Sequence, residues 1–565
     1  MALASRPQFD DQAGKPVPVI GMATGINQTG QPPIRWEVNA LQNESGPRWD
    51  LYIQGLAALQ NKNEENERSH FVISGIHGMP YEPYNGVGPV RGGSGSGFCP
   101  HGETQFVAWH RLYIILYEQV LGQEIQNIAS KYHGHQNASA YKHAAQVFRI
   151  PYWDWAASAR LPPSCAQQNI TVNGPHGPLT LRNPLYSYRW QTYPLNQSQF
   201  PGSGDWPAET TRASNGKEDF SLGAVNANLT KVADELRDLV YHTFTSAESF
   251  DQMSSMMNPA GVSLEAPHDV VHNAVGGSFA SLDITAFDSL FMLHHANIDR
   301  LAALWTAIHP NASAYQSTPY MTNGLYATAR GDNITAHSPL KPFFRAGGQA
   351  FHTSFTAADI DDFGYTYPEL AEWAGRRGRG VEEERRRAVI AQVNKLYGGR
   401  GNASSKYEYP DLLAGRSGKD KKVRGEGGGV EEGVEWFVKI AADRSELALP
   451  CTLDVYVGGE FAGRVALLGM PRTGTAHARV PLQRVIRGFR RTVDGIVDGD
   501  SVEKMVWERV RVVVKGGNES VTNEKATAGL RIHLVAVPII TPQSRISEFP
   551  SHGAGRVCAE ISPST

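Results

Sequence analysis

The pair His268-Asp-Val-Val-His272, with His294-His295 following it, constrains this chain more than any other feature. Histidines four residues apart lie on one helix face a single turn apart, so both imidazoles reach one ion. A third imidazole from a neighbouring helix completes a three-nitrogen set with positions left open for an exogenous ligand. A second triplet stands earlier in the chain: His77 and His101 on loop-like stretches, and His110 in the first turn of a long helical pattern. Any one of them alone reads as an ordinary core histidine. Two triplets beside helices read as an all-histidine dinuclear metal site. Thiolates do not compete, because only four cysteines, none in a C-x-x-C pair, stand against nineteen histidines. The Glu-x-x-His pairs of di-iron bundles and the His-Glu-x-x-His of hydrolytic zinc are also missing. Imidazole suits copper, zinc, iron and nickel, so residue types leave the metal open.

A chain of 565 residues exceeds what one core organises, and its composition divides it. Residues 1–371 are rich in Trp, Tyr, His and Pro and carry helical periods over 50–61, 106–131, 229–243, 264–275 and 288–308. Residues 372–433 are a charged, Gly-rich stretch with Glu382-Glu-Glu-Arg-Arg-Arg and Lys419-Asp-Lys-Lys, read as a solvated helix or linker open to proteolysis. Residues 434–565 alternate apolar and polar, as in Leu453-Asp-Val-Tyr-Val, and read as an all-β, sandwich-like domain. The expected fold is therefore a mainly α core followed by a β domain. A formal charge of -3 gives no reason to expect nucleic acid or an anionic membrane as partner and suits a small ligand. Without an apolar stretch of signal-peptide or membrane-span length, the expected location is cytoplasmic.

Ser74-Gly-Ile-His77-Gly, Cys99-x-His101, Trp109-His110-Arg111, His268-x-x-x-His272 and the run Phe287 to Arg300 resemble, in order and spacing, the copper motifs of fungal tyrosinases and polyphenol oxidases. The similarity extends from Arg35 through Gly364-Tyr-Thr-Tyr-Pro-Glu369 and includes Tyr152-Trp-Asp-Trp-Ala. The resemblance implies a four-helix bundle around a type-3 centre of two copper ions that uses O₂ to oxidise small phenols to o-quinones. It implies His77, His101 and His110 as ligands of one copper and His268, His272 and His295 as ligands of the other. His294 would stand behind the ligands, and Cys99 would be joined to His101 by a thioether. Arg35, Tyr365 and Tyr367 would be structural.

Substrate chemistry in such a family depends on neighbours of the ligands. Phe291 matches the aromatic residue lying over the copper pair, and Glu265 the glutamate that holds an ordered water. Asp269 stands where many monophenol-active members have asparagine, which removes amide donors and adds charge. The alternative to a full tyrosinase is thus a catechol or o-aminophenol oxidase without monophenol hydroxylation; an oxygen carrier of the haemocyanin kind is a further alternative. Ser289 replaces a usual proline, and a short stretch from Gly276 to Asp283 is expected to reshape the substrate entrance. Full-length members keep their C-terminal β domain over the site until it is cut away, inserting a side chain near the coppers. Phe461, in Gly458-Gly-Glu-Phe-Ala-Gly463, is the expected placeholder.

Overall fold

The longest helical pattern becomes the Phe106–Ala129 helix, free of internal proline and buried on nearly every face of its first four turns. This computed structural model describes residues 16–398 except 214–219, 313–317 and 377, and residues 431–561 except 487–503, 505, 517–518, 521–528 and 543–546. The Pro47–Gln60 helix, begun by a proline whose missing N–H costs nothing at that position, packs along it. Close approach is bought by Gly55, where a Cβ would come within 2.5 Å of Ile125 Cγ1. On its other side the Phe106 helix meets the Leu290–Ile308 helix, preceded by Ser289, whose hydroxyl accepts from Gln60 Nε2 at 2.8 Å. The Glu265–Val275 helix tolerates Pro267 in its first turn and stops at Gly276 and Gly277, with φ of +73° and +60°.

The stretch 229–243, expected as one helix, is two: Leu222–Lys231 and Ala233–Ser246. Val232 lies between them, its side chain buried, so packing of this β-branched residue wins over continuation of the helix. The charged segment also differs from a plain linker. Its first half forms the Arg379–Tyr397 helix, which docks on the Leu290 helix through Val389, Ile390, Val393, Leu396 and Tyr397. Helix periodicity was present beneath the charge run. Residues 399–430 lie outside the described residues.

A buried ionic network ties distant parts of the core together. Asp299 accepts from Arg35 Nη1 at 3.1 Å, Arg111 Nε at 2.5 Å, and the hydroxyls of Tyr365 and Tyr367, both at 2.7 Å. Arg35 also donates to Glu118 at 2.9 Å and lies over the Tyr365 ring. Arg300 donates to Asp154 at 3.1 Å, to Glu369 and to the Tyr397 hydroxyl. The first and last segments of the core are thereby clamped to the helices that carry His110 and His295.

The C-terminal part is a sandwich. One sheet orders the strands Thr475–Pro481, Glu431–Asp443, Leu530–Thr541 and Ser551–His552, with Arg556–Ile561 also paired to Leu530–Thr541. The other contains Glu519–Ser520, Val510–Gly516, Cys451–Val457 and Glu460–Leu467, all antiparallel to their neighbours. Val438, Ile440, Ile532 and Leu534 from the first sheet share one core with Leu453, Val455, Val465 and Val512 from the second. No helix among the described residues is long and apolar enough to cross a membrane.

The sandwich leans on the core through the Glu460–Leu467 strand, which packs on the Glu265 and Ala233 helices. Here Glu235 Oε1 accepts the N–H of Arg464. Burial pushes the Glu235 carboxyl up to about 8; Asp454 adds to the rise, while the Arg464 N–H and the guanidiniums of Arg464 and Arg484 oppose it. Because an unfolded glutamate titrates near ~4.3, folding takes up a proton between that value and about 8. This contribution is fully present below the unfolded pKa and lost as pH rises through the folded one. Limited proteolysis between the two parts, normalised to an unfolded peptide substrate, is expected to accelerate several-fold as pH passes about 8. Glu235→Gln should flatten that step; an unchanged pH profile would refute the assignment.

Candidate metal centre

Six imidazoles converge where the Phe106, Glu265 and Leu290 helices meet the loop after His70–Gly75. Five of the six rings have an Nδ1 contact that orients them, while His295 Nδ1 has no hydrogen-bond partner among the described residues. His110 Nδ1 donates to Phe106 O at 2.8 Å, His77 Nδ1 to Leu282 O at 3.1 Å, and His272 Nδ1 to Phe279 O at 2.6 Å. His268 Nδ1 donates to Asp269 Oδ1 at 2.8 Å, and His101 Nδ1 lies 3.2 Å from Cys99 Sγ. These contacts select the tautomer that leaves Nε2 with a lone pair.

Four of these lone pairs have no protein donor to meet. Nε2 of His77, His101, His110 and His272 is buried with no hydrogen-bond partner among the described residues. Nε2 of His268 and of His295 face one another at 3.2 Å. The rings interleave: His77 and His101 centroids are 5.2 Å apart, His101 and His110 5.1 Å, and His110 stacks on His295 at 4.3 Å. Burial, reinforced in His77, His101, His268 and His295 by neighbouring imidazoles, holds all six well below the ordinary histidine range; His110 falls to about 3 and His272 to about 4. Neutral imidazoles with orphaned, converging Nε2 atoms are what divalent or monovalent copper requires, so the residues fit a pair of such ions.

His294 stacks on His268 at 4.9 Å and lies 5.8 Å from Trp155, and its ring atoms also fall within the His268, His272 and His295 group. Phe291 is fully buried with its ring 4.8 Å from His77 and 4.1 Å from His295. Both carboxylate oxygens of Glu265 are engaged: Oε1 accepts from Gly102 N at 2.6 Å, and Oε2 from Ser255 Oγ at 2.9 Å and Met256 N at 2.8 Å. Burial pushes the Glu265 and Asp269 carboxyls above their ordinary values. Glu265 thus ties the His101 loop to the start of the Glu265 helix, and Asp269 orients its neighbour His268.

The short Gly276–Asp283 stretch is a brace for the metal centre: its carbonyls orient His272 and His77, and Asp283 O accepts from Met79 N at 2.7 Å. The sequence carried a signal for this in the glycines around His77. A Cβ at Gly78 would sit 2.3 Å from Asp283 O, and one at Gly97 2.0 Å from His77 O.

Phe461 is not beside the histidines. Pairing of Tyr456 with Phe461 across the Gly458-Gly459 turn directs its ring to Tyr456, at 5.7 Å, with Lys231 Nζ 4.8 Å from the ring centre. The cover meets the histidine loops through a different segment, Leu468 to Gly474. A Cβ on Gly102 would come within 2.8 Å of Pro471 Cγ, beside His101, and Thr473 accepts from Arg330 at 3.2 Å. Buried Arg444 holds this segment by donating to the carbonyls of Leu468, Met470 and Pro471.

A sequence model of the common central domain of tyrosinase matches residues 67–308. Tyrosinase from Podospora anserina is 32% identical over 406 residues, covering 68% of this chain and 69% of that one. Among solved structures, latent and active mushroom tyrosinase superposes with a TM-score of 0.78 at 24% identity, covering 94% of this chain and 96% of that one. A variant of Aspergillus oryzae pro-tyrosinase superposes at 0.69 with 19% identity, covering 96% and 98%. At these identities the solved structures establish the shared fold.

Proposed function

Because the chain belongs to the tyrosinase family of copper oxidoreductases, we propose that it oxidises small o-diphenols to o-quinones with O₂, with monophenols as the poorer substrates. The proposal assigns one copper to His77, His101 and His110 and the other to His268, His272 and His295. The copper pair, when bound, supplies O₂ activation and accepts the electrons that a phenol loses. The chain does the rest. Burial holds the imidazoles neutral, backbone carbonyls aim His77, His110 and His272 and Asp269 aims His268, the apolar rings of Phe106, Phe279 and Phe291 exclude water, and Phe291 offers a face against which a phenol ring packs.

The observation carrying the substrate preference is the engagement of Glu265 and Asp269 by protein groups. A phenol titrates near ~10 and needs a positioned base, whereas a catechol loses its protons more readily at two metal ions. With neither carboxylate held ready for a water, catechol oxidation is expected to exceed tyrosine hydroxylation in kcat/KM by about a hundredfold. Asp269→Asn should narrow the ratio. Comparable kcat/KM for tyrosine and catechol in the unaltered protein would overturn the preference.

We further propose that the β sandwich keeps the enzyme latent, with the Met470-Pro471 segment rather than an aromatic side chain over the His101 side of the site. Mushroom tyrosinase with latent and active forms, and Aspergillus pro-tyrosinase, share this two-part fold. Cleavage among the Lys and Arg residues of 399–430 is expected to raise catechol oxidation by about tenfold or more. Equal activity before and after complete cleavage and release of the sandwich would refute latency.

In the same reading Cys99 Sγ, 3.2 Å from His101 Nδ1, would become bonded to a ring carbon of His101, the S–H and C–H hydrogens leaving with two electrons to O₂ as hydrogen peroxide, an oxidation the copper pair would promote when bound. Burial raises the thiol pKa, so the free thiolate is scarce and Cys99 is a poor nucleophile without the metal.

A further inference from the structure

A second cluster of metal-ligating side chains, sharing no residue with the six histidines just described, lies where the sandwich meets the core. His242 projects from the Ala233–Ser246 helix, Glu435 from the Glu431–Asp443 strand and His552 from the Ser551–His552 strand. Glu435 pairs with Val537 and His552 with Ile539, two residues apart on the shared Leu530–Thr541 strand. The pleat therefore puts Glu435 and His552 on one face of the sheet, and that face looks at the core helix.

The three side chains are 13%, 17% and 13% exposed, and one ligand atom from each lies within 4.8 Å of the others. Glu435 Oε2 is 3.2 Å from His552 Nε2 and 3.9 Å from His242 Nδ1. Ligands about 2.0–2.2 Å from a tetrahedral ion stand roughly 3.3–3.6 Å from each other, so a small closing movement brings the three side chains onto one ion, with water as the fourth ligand. His242 Nδ1 is buried at a distance too long for a hydrogen bond to Glu435 and has no hydrogen-bond partner among the described residues. A helix–sheet contact built from packing alone has no reason to leave that atom facing a carboxylate. The His242 ring is fixed edge-on against Phe437 at 5.0 Å, and Glu435 is the negative charge that faces it. Arg479 supplies the opposing charge near His242.

We propose that His242, Glu435 and His552 bind one divalent cation of the zinc type and that this ion clamps the sandwich to the catalytic core. Two imidazoles and one carboxylate favour zinc over calcium or magnesium, which take all-oxygen sites. The ion is structural and separate from the two coppers. Its ligands come from both sides of the domain contact, so occupancy holds the cover down and slows its release.

The test uses the copper-loaded full-length protein, dialysed against zinc chloride and then metal-free buffer. Elemental analysis should find one zinc per chain beyond the copper, and thermal unfolding should shift upward with zinc. His242→Ala, Glu435→Gln and His552→Ala should each lose that zinc and the shift while keeping copper content and catechol oxidation after cleavage. Failure of the phenol-oxidation reading would instead appear as lost copper or lost oxidation with zinc retained. No additional zinc in the unaltered protein, or full zinc retention in all three variants, would overturn the site.

Discussion

Replacing His268 by alanine is expected to abolish catechol oxidation, with kcat/KM falling by more than about a thousandfold, equivalent to about 4 kcal/mol of lost transition-state stabilisation. His268 stands at the junction of the two triplets: its Nε2 is 3.2 Å from that of His295, and its ring lies 5.5 Å from His101 and 4.5 Å from His272. Removing it takes away one donor and leaves Asp269 buried without the imidazole it orients. Copper measured per chain should fall below two, while the fold, read by circular dichroism, persists because the rest of the Glu265 helix is packed on its neighbours. An active His268→Ala protein with full copper would refute the ligand assignment. Asp269→Ala should cost less, about 10–100-fold in copper affinity, since it only orients a ligand.

The largest effect on stability is expected at Asp299. Arg111 and Arg35 hold its carboxyl below the ordinary value against the opposing effect of burial. Asp299→Ala would strip a fully buried carboxylate from two guanidiniums and two tyrosine hydroxyls, and breaking such a network by removing one partner costs about 3–5 kcal/mol. Thermal unfolding of the variant should begin well below that of the parent. The loss should extend to copper retention, because the same clamp fixes the Phe106 and Leu290 helices that present His110 and His295. A variant with unchanged melting would show that the network is not what joins these segments.

What was legible in the sequence follows from how local the signal is. The His268-x-x-x-His272 spacing states its own geometry, and the apolar period of 106–131 states a buried helix; both stand in the structure with boundaries moved by a residue or two. The alternation in Leu453-Asp-Val-Tyr-Val likewise stands as the Cys451–Val457 strand. Orientation of the ligands was not legible, because it comes from carbonyls of Leu282 and Phe279, and a carbonyl carries no side-chain signature. The charged stretch was legible as a solvated helix or a linker, but its charge masked the buried face that Val389, Ile390, Val393, Leu396 and Tyr397 give the Arg379–Tyr397 helix. Phe461 shows the opposite failure. An aromatic beside a glycine turn promised a protruding side chain, but strand register decides which way such a residue points, and here the cover meets the loop after His101, at Gly102, with Pro471.

The central claim is that six neutral imidazoles hold two coppers that oxidise phenols, and the most direct measurement is metal content against activity on one preparation. Elemental analysis of the purified, copper-reconstituted chain, with the sandwich cleaved away, should give two coppers bound by the six histidines. Catechol-dependent O₂ consumption should disappear on chelation in proportion to copper lost and return when copper is restored. Undiminished catechol oxidation after complete copper removal, or a chain that binds no copper at all, would contradict the account.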